Sequence, residues 1–238
     1  MLYKTKAIVL RHVKYGESSI IVTLYTEDHG RISCMVSGVR TKKPKFPPTL
    51  FQPLTLLDVD FYHRPSRDVQ RIKDVVCCIH YRTVPFNYSK NAIALFLAEV
   101  LYLSLREEES NRPLFSYIFN ALQLLDAEEE VISSFHHWFM LHLTRYLGFF
   151  PPEKIWNGDV HLAGDMQAFQ GIRQELLFAL KRVAESPQRP PDITDLSQND
   201  RNRILECIIK YYRMHIDGFF RLRSFSVLQE VFGQNMIQ

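Results

Sequence analysis

The spacing of apolar side chains changes period once along this chain, close to Pro85. Before that point, five short runs rich in Val, Ile, Thr, Tyr and Phe carry strand character, at residues 6–14, 19–26, 31–39, 54–62 and 69–76. Ile20, Val22 and Leu24 share one face of the second run, and Ile32, Cys34 and Val36 one face of the third, the alternation of a half-buried sheet. Turn residues separate the runs at Tyr15-Gly16-Glu17, Asp28-His29-Gly30 and His63-Arg64-Pro65-Ser66. Five strands in so short a segment make too little sheet for a sandwich, so they predict a small barrel that hides most of its edges. The pattern fits an OB barrel and an SH3-like barrel equally.

After Pro85 the period becomes helical almost to the end. Ser89 is the expected N-cap of a helix to about Arg106, with Ile93, Phe96, Leu97, Val100 and Leu101 as its apolar face. Asn111 opens a second helix, with Pro113 in its first turn and a stripe of Leu114, Ile118, Leu122 and Leu125. A third is expected over 130–147, closed by Gly148, and others over 171–184, 200–219 and 224–232. The predicted fold is therefore α+β and multidomain: a five-stranded barrel over 1–80, then an all-α helical domain over 81–238 with a long loop at 149–168.

Composition adds a class and a polarity. With 46% apolar residues in 238, the chain has material for a sizeable core, which excludes a disordered or disulfide-stapled protein. The four cysteines (34, 77, 78 and 207) form no CxxC pair and read as reduced thiols of a cytoplasmic protein. The apolar run Ala7–Leu10 is too short for a secretory segment, and Ala92–Leu105 is interrupted by Glu99, so no membrane anchor is expected. Net charge is only +3, yet residues 1–80 hold 13 basic and 7 acidic side chains, or +6, and the remainder 16 and 19, or −3. The barrel, not the whole chain, is the part that meets an anion.

Phosphate-loop, dinucleotide, hydrolase-elbow and HExxH motifs are all missing, which argues against an enzyme. His136, His137 and His142 lack the spacing that would put them on one helical face, so they read as core or surface histidines. Asp159, His161 and Asp165 have the chemistry to hold a hard cation, or to form a solvated loop. The dense basic cluster is Arg40, Lys42, Lys43 and Lys45, beside Phe46. Lys4, Lys6, Arg11, Lys14 and Arg31 lie on neighbouring strands, and Arg64, Arg67 and Arg71 on the last hairpin. This is either a solubility patch or a positive groove for nucleic-acid phosphates, with Tyr15, Tyr25, Phe46 and Tyr62 as stacking platforms, although Tyr25 and Tyr62 equally suit a core.

An ordered set of motifs runs through the chain: Tyr15-Gly16-Glu17-Ser18-Ser19, Leu24-Tyr25-Thr26-Glu27-Asp28-His29-Gly30-Arg31, Gly38-Val39-Arg40 and Leu50-Phe51-Gln52-Pro53-Leu54. Leu147-Gly148-Phe149-Phe150-Pro151, Tyr211-Tyr212-Arg213-Met214-His215 and the stretch from Arg221 to Leu228 follow. Together they resemble the RecO family of bacterial DNA repair proteins. The resemblance implies an OB-fold first domain, a helical second domain and no enzymatic activity. It also implies binding of single- and double-stranded DNA, annealing of complementary strands, and help in loading recombinase onto DNA coated by single-strand-binding protein. RecR and the acidic C-terminal tail of single-strand-binding protein are the implied partners, and the cytoplasmic nucleoid the implied location. Many relatives carry a four-cysteine zinc site after the Gly-Phe-x-Pro stretch; residues 149–167 here contain no cysteine, so neither metal nor other cofactor is expected. The basic residues that receive the acidic tail in some relatives find no match at Ser133-Ser134-Phe135. A different reading makes the protein chiefly an adaptor, whose helical domain organises RecR and single-strand-binding protein with little DNA binding of its own.

Overall fold

A computed structural model describes residues 1–129, 132–156 and 165–234. Strands β1 (Leu2–Tyr15), β2 (Ser19–Thr26), β3 (Gly30–Val36), β4 (Leu56–Tyr62) and β5 (Val69–Ile79) close into a barrel in the order β1-β2-β3-β5-β4. All pairs are antiparallel except β3 with β5. This is the OB-fold order, and it decides between the two barrels that periodicity left open.

The strand ends differ from expectation for local reasons. β1 starts at Leu2 because Leu2 to Ile8 ladder against Tyr62 to Leu56. β3 stops at Val36, just before the left-handed Gly38 turn (φ 73°). Leu54 adopts φ 65°, donates its N–H to the Val9 carbonyl at 2.7 Å, and delays β4 to Leu56.

Inside the barrel, Val9, Val22, Leu24, Cys34, Phe51 and Phe61 form a closed apolar core. A bulge in β1 between Val9 and Arg11 changes which side the strand presents. Ile8, Leu10, Tyr25, Leu54 and Leu56 pack instead into the core of the helical part. Burying each is worth about 2 kcal/mol, so the barrel is bonded to the helices by substantial apolar contact.

The helices are α1 (Tyr88–Ser104), α2 (Arg112–Ala127), α3 (Phe135–Tyr146), α4 (Gln174–Ala184), α5 (Gln198–His215) and α6 (Ser224–Gln234). The α1 cap is Asn87, not Ser89: its side chain accepts from the Lys90 N–H at 3.1 Å. Asn111 caps α2 as expected, accepting from Leu114 at 3.1 Å. α3 begins at Phe135 rather than 130, and every residue from Phe135 to Thr144 is buried, marking it as the central helix. It closes with Gly148 left-handed (φ 83°) and Phe149 donating to the Thr144 carbonyl at 3.0 Å. α5 ends at His215, not 219, because extended Ile216 and left-handed Gly218 turn the chain into a short 3₁₀ segment, Phe219–Arg221. No helix among the described residues is long and apolar enough to cross a membrane.

A polar seam joins the two parts where the β2–β3 turn meets the α1–α2 connection. The Arg31 N–H donates to the Glu107 carbonyl at 2.9 Å, and Ser110 Oγ to the Glu27 carbonyl at 2.9 Å. Gly30 (φ 60°) lies so close beneath this connection that a Cβ there would sit 2.4 Å from the Glu109 oxygen.

Candidate nucleic-acid interface

Strand register assembles one outward surface of the barrel. Val13 pairs with Ile21, Ile21 with Met35, Met35 with Arg71, and Arg71 with Tyr62. Directly paired residues share a face, so these five form a row across β1, β2, β3, β5 and β4. Beside it runs a second row, Arg11, Thr23, Ser33 and Val69. The intervening Ile20, Val22, Cys34 and Val36 are buried in the barrel core, as the alternation requires. The surface is thus soft and apolar at its centre, and Tyr15 and Tyr62, 53% and 46% exposed, stand at its margins.

Loops complete it. Buried Gln70 builds the β4–β5 turn: its Oε1 accepts from the Arg64 N–H at 2.8 Å, and its Nε2 donates to the Arg67 and Arg64 carbonyls at 2.6 and 3.2 Å. Tyr62, Arg64, Arg67, Val69, Gln70 and Arg71 line a concavity of about 360 Å³ there. The loop after β3 is pinned at both ends. Arg40 donates from its backbone to the Ser18 carbonyl at 2.9 Å and from its guanidinium to the Gly16 carbonyl at 3.1 Å. Lys45 Nζ donates to the Lys73 carbonyl at 2.8 Å and lies 4.5 Å from the Phe46 ring centroid. Between these anchors Lys42 and Lys43 are exposed, with no ion pair among the described residues. Lys14 pairs with core-facing Ile20 at the end of β1 and leaves from the barrel rim.

Three of the sequence candidates lie elsewhere. Lys4 and Lys6 lie farther along the barrel wall, in a cleft shared with Glu27, Asp28, Asp58, Asp60 and Asp74. Lys4 Nζ is 3.4 Å from Asp60, and Lys6 Nζ is 5.4 Å from the Phe119 ring of α2. Arg112 holds the Asp28 carboxyl below the usual carboxylate range by a 2.7 Å hydrogen bond, so this cleft stays anionic. Arg31 is engaged at the seam, its Nη1 donating to the Tyr102 and Leu105 carbonyls at 3.0 and 2.6 Å. Setting aside the seven charges of the acidic cleft leaves 11 basic and 2 acidic residues on the rest of the first 80, or +9. The mild total concealed an acidic cleft within an otherwise basic barrel.

Two of the four aromatic candidates are core. Tyr25 is 3% and Phe46 8% exposed, and burial, then the charge of Glu107, pushes the Tyr25 hydroxyl up to about 12. His136, His137 and His142 are buried in α3; Nε2 of His137 pairs with the Arg201 carbonyl and that of His142 with the Val183 carbonyl, each at 2.9 Å. Asp159 and His161 lie outside the described residues, as does the side chain of Asp165. Sequence reasoning missed Val13, Ile21 and Met35. Their signal is the cross-strand register, which a one-dimensional pattern does not contain.

Residues 1–80 match the family model for the recombination protein O N terminal domain, and residues 85–154 that for its C terminal domain. The chain is 36% identical over 246 residues to the DNA repair protein RecO of Bacteroides fragilis, and 37% over 240 to that of Christiangramia forsetii. Against the DNA repair protein RecO of Phocaeicola vulgatus the identity is 33% over 241 residues. Each alignment covers 98% of this chain and 100% of the relative.

Proposed function

Because the chain belongs to the RecO family of DNA repair proteins, we propose that it is a mediator of recombinational repair that binds DNA without sequence preference, anneals complementary strands and helps load recombinase. The observation that carries this reading is the Val13–Ile21–Met35 row, flanked by Tyr15 and Tyr62 and ringed by Arg11, Lys14, Arg40, Lys42, Lys43, Lys45, Arg67 and Arg71. It occupies the β2–β3 face and the adjoining loops where OB barrels hold single strands. The residue division at 80 then separates a DNA-binding barrel from a helical body that contacts partners.

Annealing on such a surface needs no catalytic residue. Two strands repel through their phosphates, and cations that neutralise several phosphates lower that barrier. Bases stacked on Tyr15 and Tyr62 keep their pairing edges free, because stacking uses the ring faces. Phosphate contacts carry no sequence information, so all sequences serve equally, and the same cations serve a duplex. RecR and the acidic tail of single-strand-binding protein are the protein partners proposed on family grounds. The exposed Lys42 and Lys43 form the adjustable part of the clamp, while anchored Arg40 and Lys45 fix its ends.

Charge reversal, Lys42→Glu with Lys43→Glu, tests this in a titration with single-stranded DNA and an annealing assay on the isolated protein. Weaker binding, a shallower salt dependence and slower annealing are expected. Unchanged affinity and salt slope would remove the clamp, and an isolated protein that anneals nothing would favour the adaptor role.

A further inference from the structure

A second basic groove, of about 550 Å³, leaves the barrel along α1 and crosses onto the C-terminal part of the helical body. Arg11 belongs to both surfaces: it stands in the Arg11–Thr23–Ser33 row of the barrel and lines this groove. Arg221 and Arg223 line its far wall, with Leu95 and Tyr102 of α1 between. All three arginines are exposed.

Specific contacts tie the groove's walls together. Two guanidiniums lie over the Tyr102 ring, Arg11 at 5.2 Å and Arg31 at 4.6 Å from its centroid. Glu99, the one acidic side chain in the lining, accepts the N–H groups of Arg223 and Ser224 at 3.1 and 2.8 Å. Its carboxylate is thereby held at the start of α6 and keeps its charge, so three guanidiniums against one carboxylate leave the lining net positive. Left-handed Gly218 turns the chain so that Phe219 is fully buried while its neighbour Phe220 is 70% exposed, with the Arg221 guanidinium 5.6 Å from its ring. An exposed ring beside a guanidinium, next to further guanidiniums over an apolar floor, has the stacking and phosphate-pairing parts of a single-strand site.

We propose that this groove receives the continuation of a single strand leaving the barrel face, with phosphates on Arg11, Arg221 and Arg223 and a base on Phe220. The inference rests on the barrel reading above, and makes the helical body a nucleic-acid surface in its own right. An acidic peptide is the competing occupant; continuity with the barrel face through Arg11, and Phe220 beside Arg221, favour the strand.

Fluorescence anisotropy with thymidine oligonucleotides of about 8 and about 25 nucleotides, within and above what a single OB barrel covers, tests it on the full chain. Arg221→Ala with Arg223→Ala should leave the short oligonucleotide's affinity unchanged. It should weaken the long one several-fold and lower its salt slope by about 1.4, the contribution of two single-strand phosphates. Phe220→Ala should weaken only the long one, Arg221→Lys with Arg223→Lys should keep the slope, and Arg213→Ala, at an exposed position of α5, should change nothing. Equal affinity and slope at both lengths, equal loss at both, or a groove that takes only an acidic peptide would overturn the proposal. Arg67→Ala with Arg71→Ala reports on the barrel separately: it should weaken both lengths, and its failure to do so would refute the barrel reading independently of the groove.

Discussion

The guanidinium of Arg31 on β3 donates to the carbonyl of Leu105, the residue that ends α1, at 2.6 Å. The same nitrogen reaches the Tyr102 carbonyl at 3.0 Å, and the plane lies over the Tyr102 ring. One strand residue thus satisfies carbonyls that the helix end leaves without intrahelical donors. Arg31→Ala is expected to destabilise the fold by about 2–3 kcal/mol in urea unfolding, from lost charge-assisted hydrogen bonds and packing. DNA affinity of the folded fraction should hardly change. A large affinity loss with unchanged stability would return Arg31 to the DNA surface.

Gly30→Ala should be costlier than its single methyl group suggests. The backbone is left-handed there, and the new Cβ would meet the Glu109 and Glu107 carbonyl oxygens at 2.4 and 2.7 Å. A Cβ in that conformation costs about 1–2 kcal/mol before any clash. Opening of the seam is expected as a lower unfolding midpoint and faster proteolysis at residues 106–110. Gly16→Ala is the control: it is also left-handed, but nothing lies within 4 Å of its Cβ, so it should show the conformational cost alone.

Acid should loosen the helical core through its histidines. Burial holds His136 and His142 below the usual imidazole range, and His137 down at about 4. Their folded values lie beneath the unfolded 6.5, so their stabilisation is fully present above pH 6.5 and is lost as the pH falls towards 4. For His137 alone the loss is roughly 3 kcal/mol over that window. Urea midpoints measured from pH 7.5 to 4.5 should fall steeply in the native protein and less steeply in His137→Gln. Identical slopes would contradict the assignment.

Much of this fold can be read from the chain because its cues are local. Alternation located every strand within a few residues, and Asn111, Pro113 and Gly148 marked helix ends by their own chemistry. What escaped needed partners distant in sequence. Ser89 and Asn87 are both adequate caps, and only the helix phase chooses between them. Lys4 and Arg31 look like equal cations until β4 places Asp60 beside one and α1 places the Leu105 carbonyl before the other. Val13, Ile21 and Met35 become one surface only through a register set partly by the bulge between Val9 and Arg11.

The two exposed tyrosines should contribute separably to DNA binding. Tyr15→Ala and Tyr62→Ala are each expected to cost about 1–3 kcal/mol in single-strand affinity, the range for one stacked base. Tyr25→Phe, altering a buried hydroxyl, should leave affinity unchanged. Equilibrium titrations at fixed salt check this, and equal effects of Tyr15→Ala and Tyr25→Phe would argue against stacking.

The division of the barrel into a binding face and an acidic cleft is tested most directly by removing the same charge from each. Single-strand affinity as a function of salt should be compared for Arg67→Ala with Arg71→Ala and for Lys4→Ala with Lys6→Ala. The first pair is expected to weaken binding and lower the salt slope by about 1.4, whereas the second should leave both unchanged. Equal losses from the two pairs would contradict a one-faced barrel and restore the even basic coat that composition alone suggests.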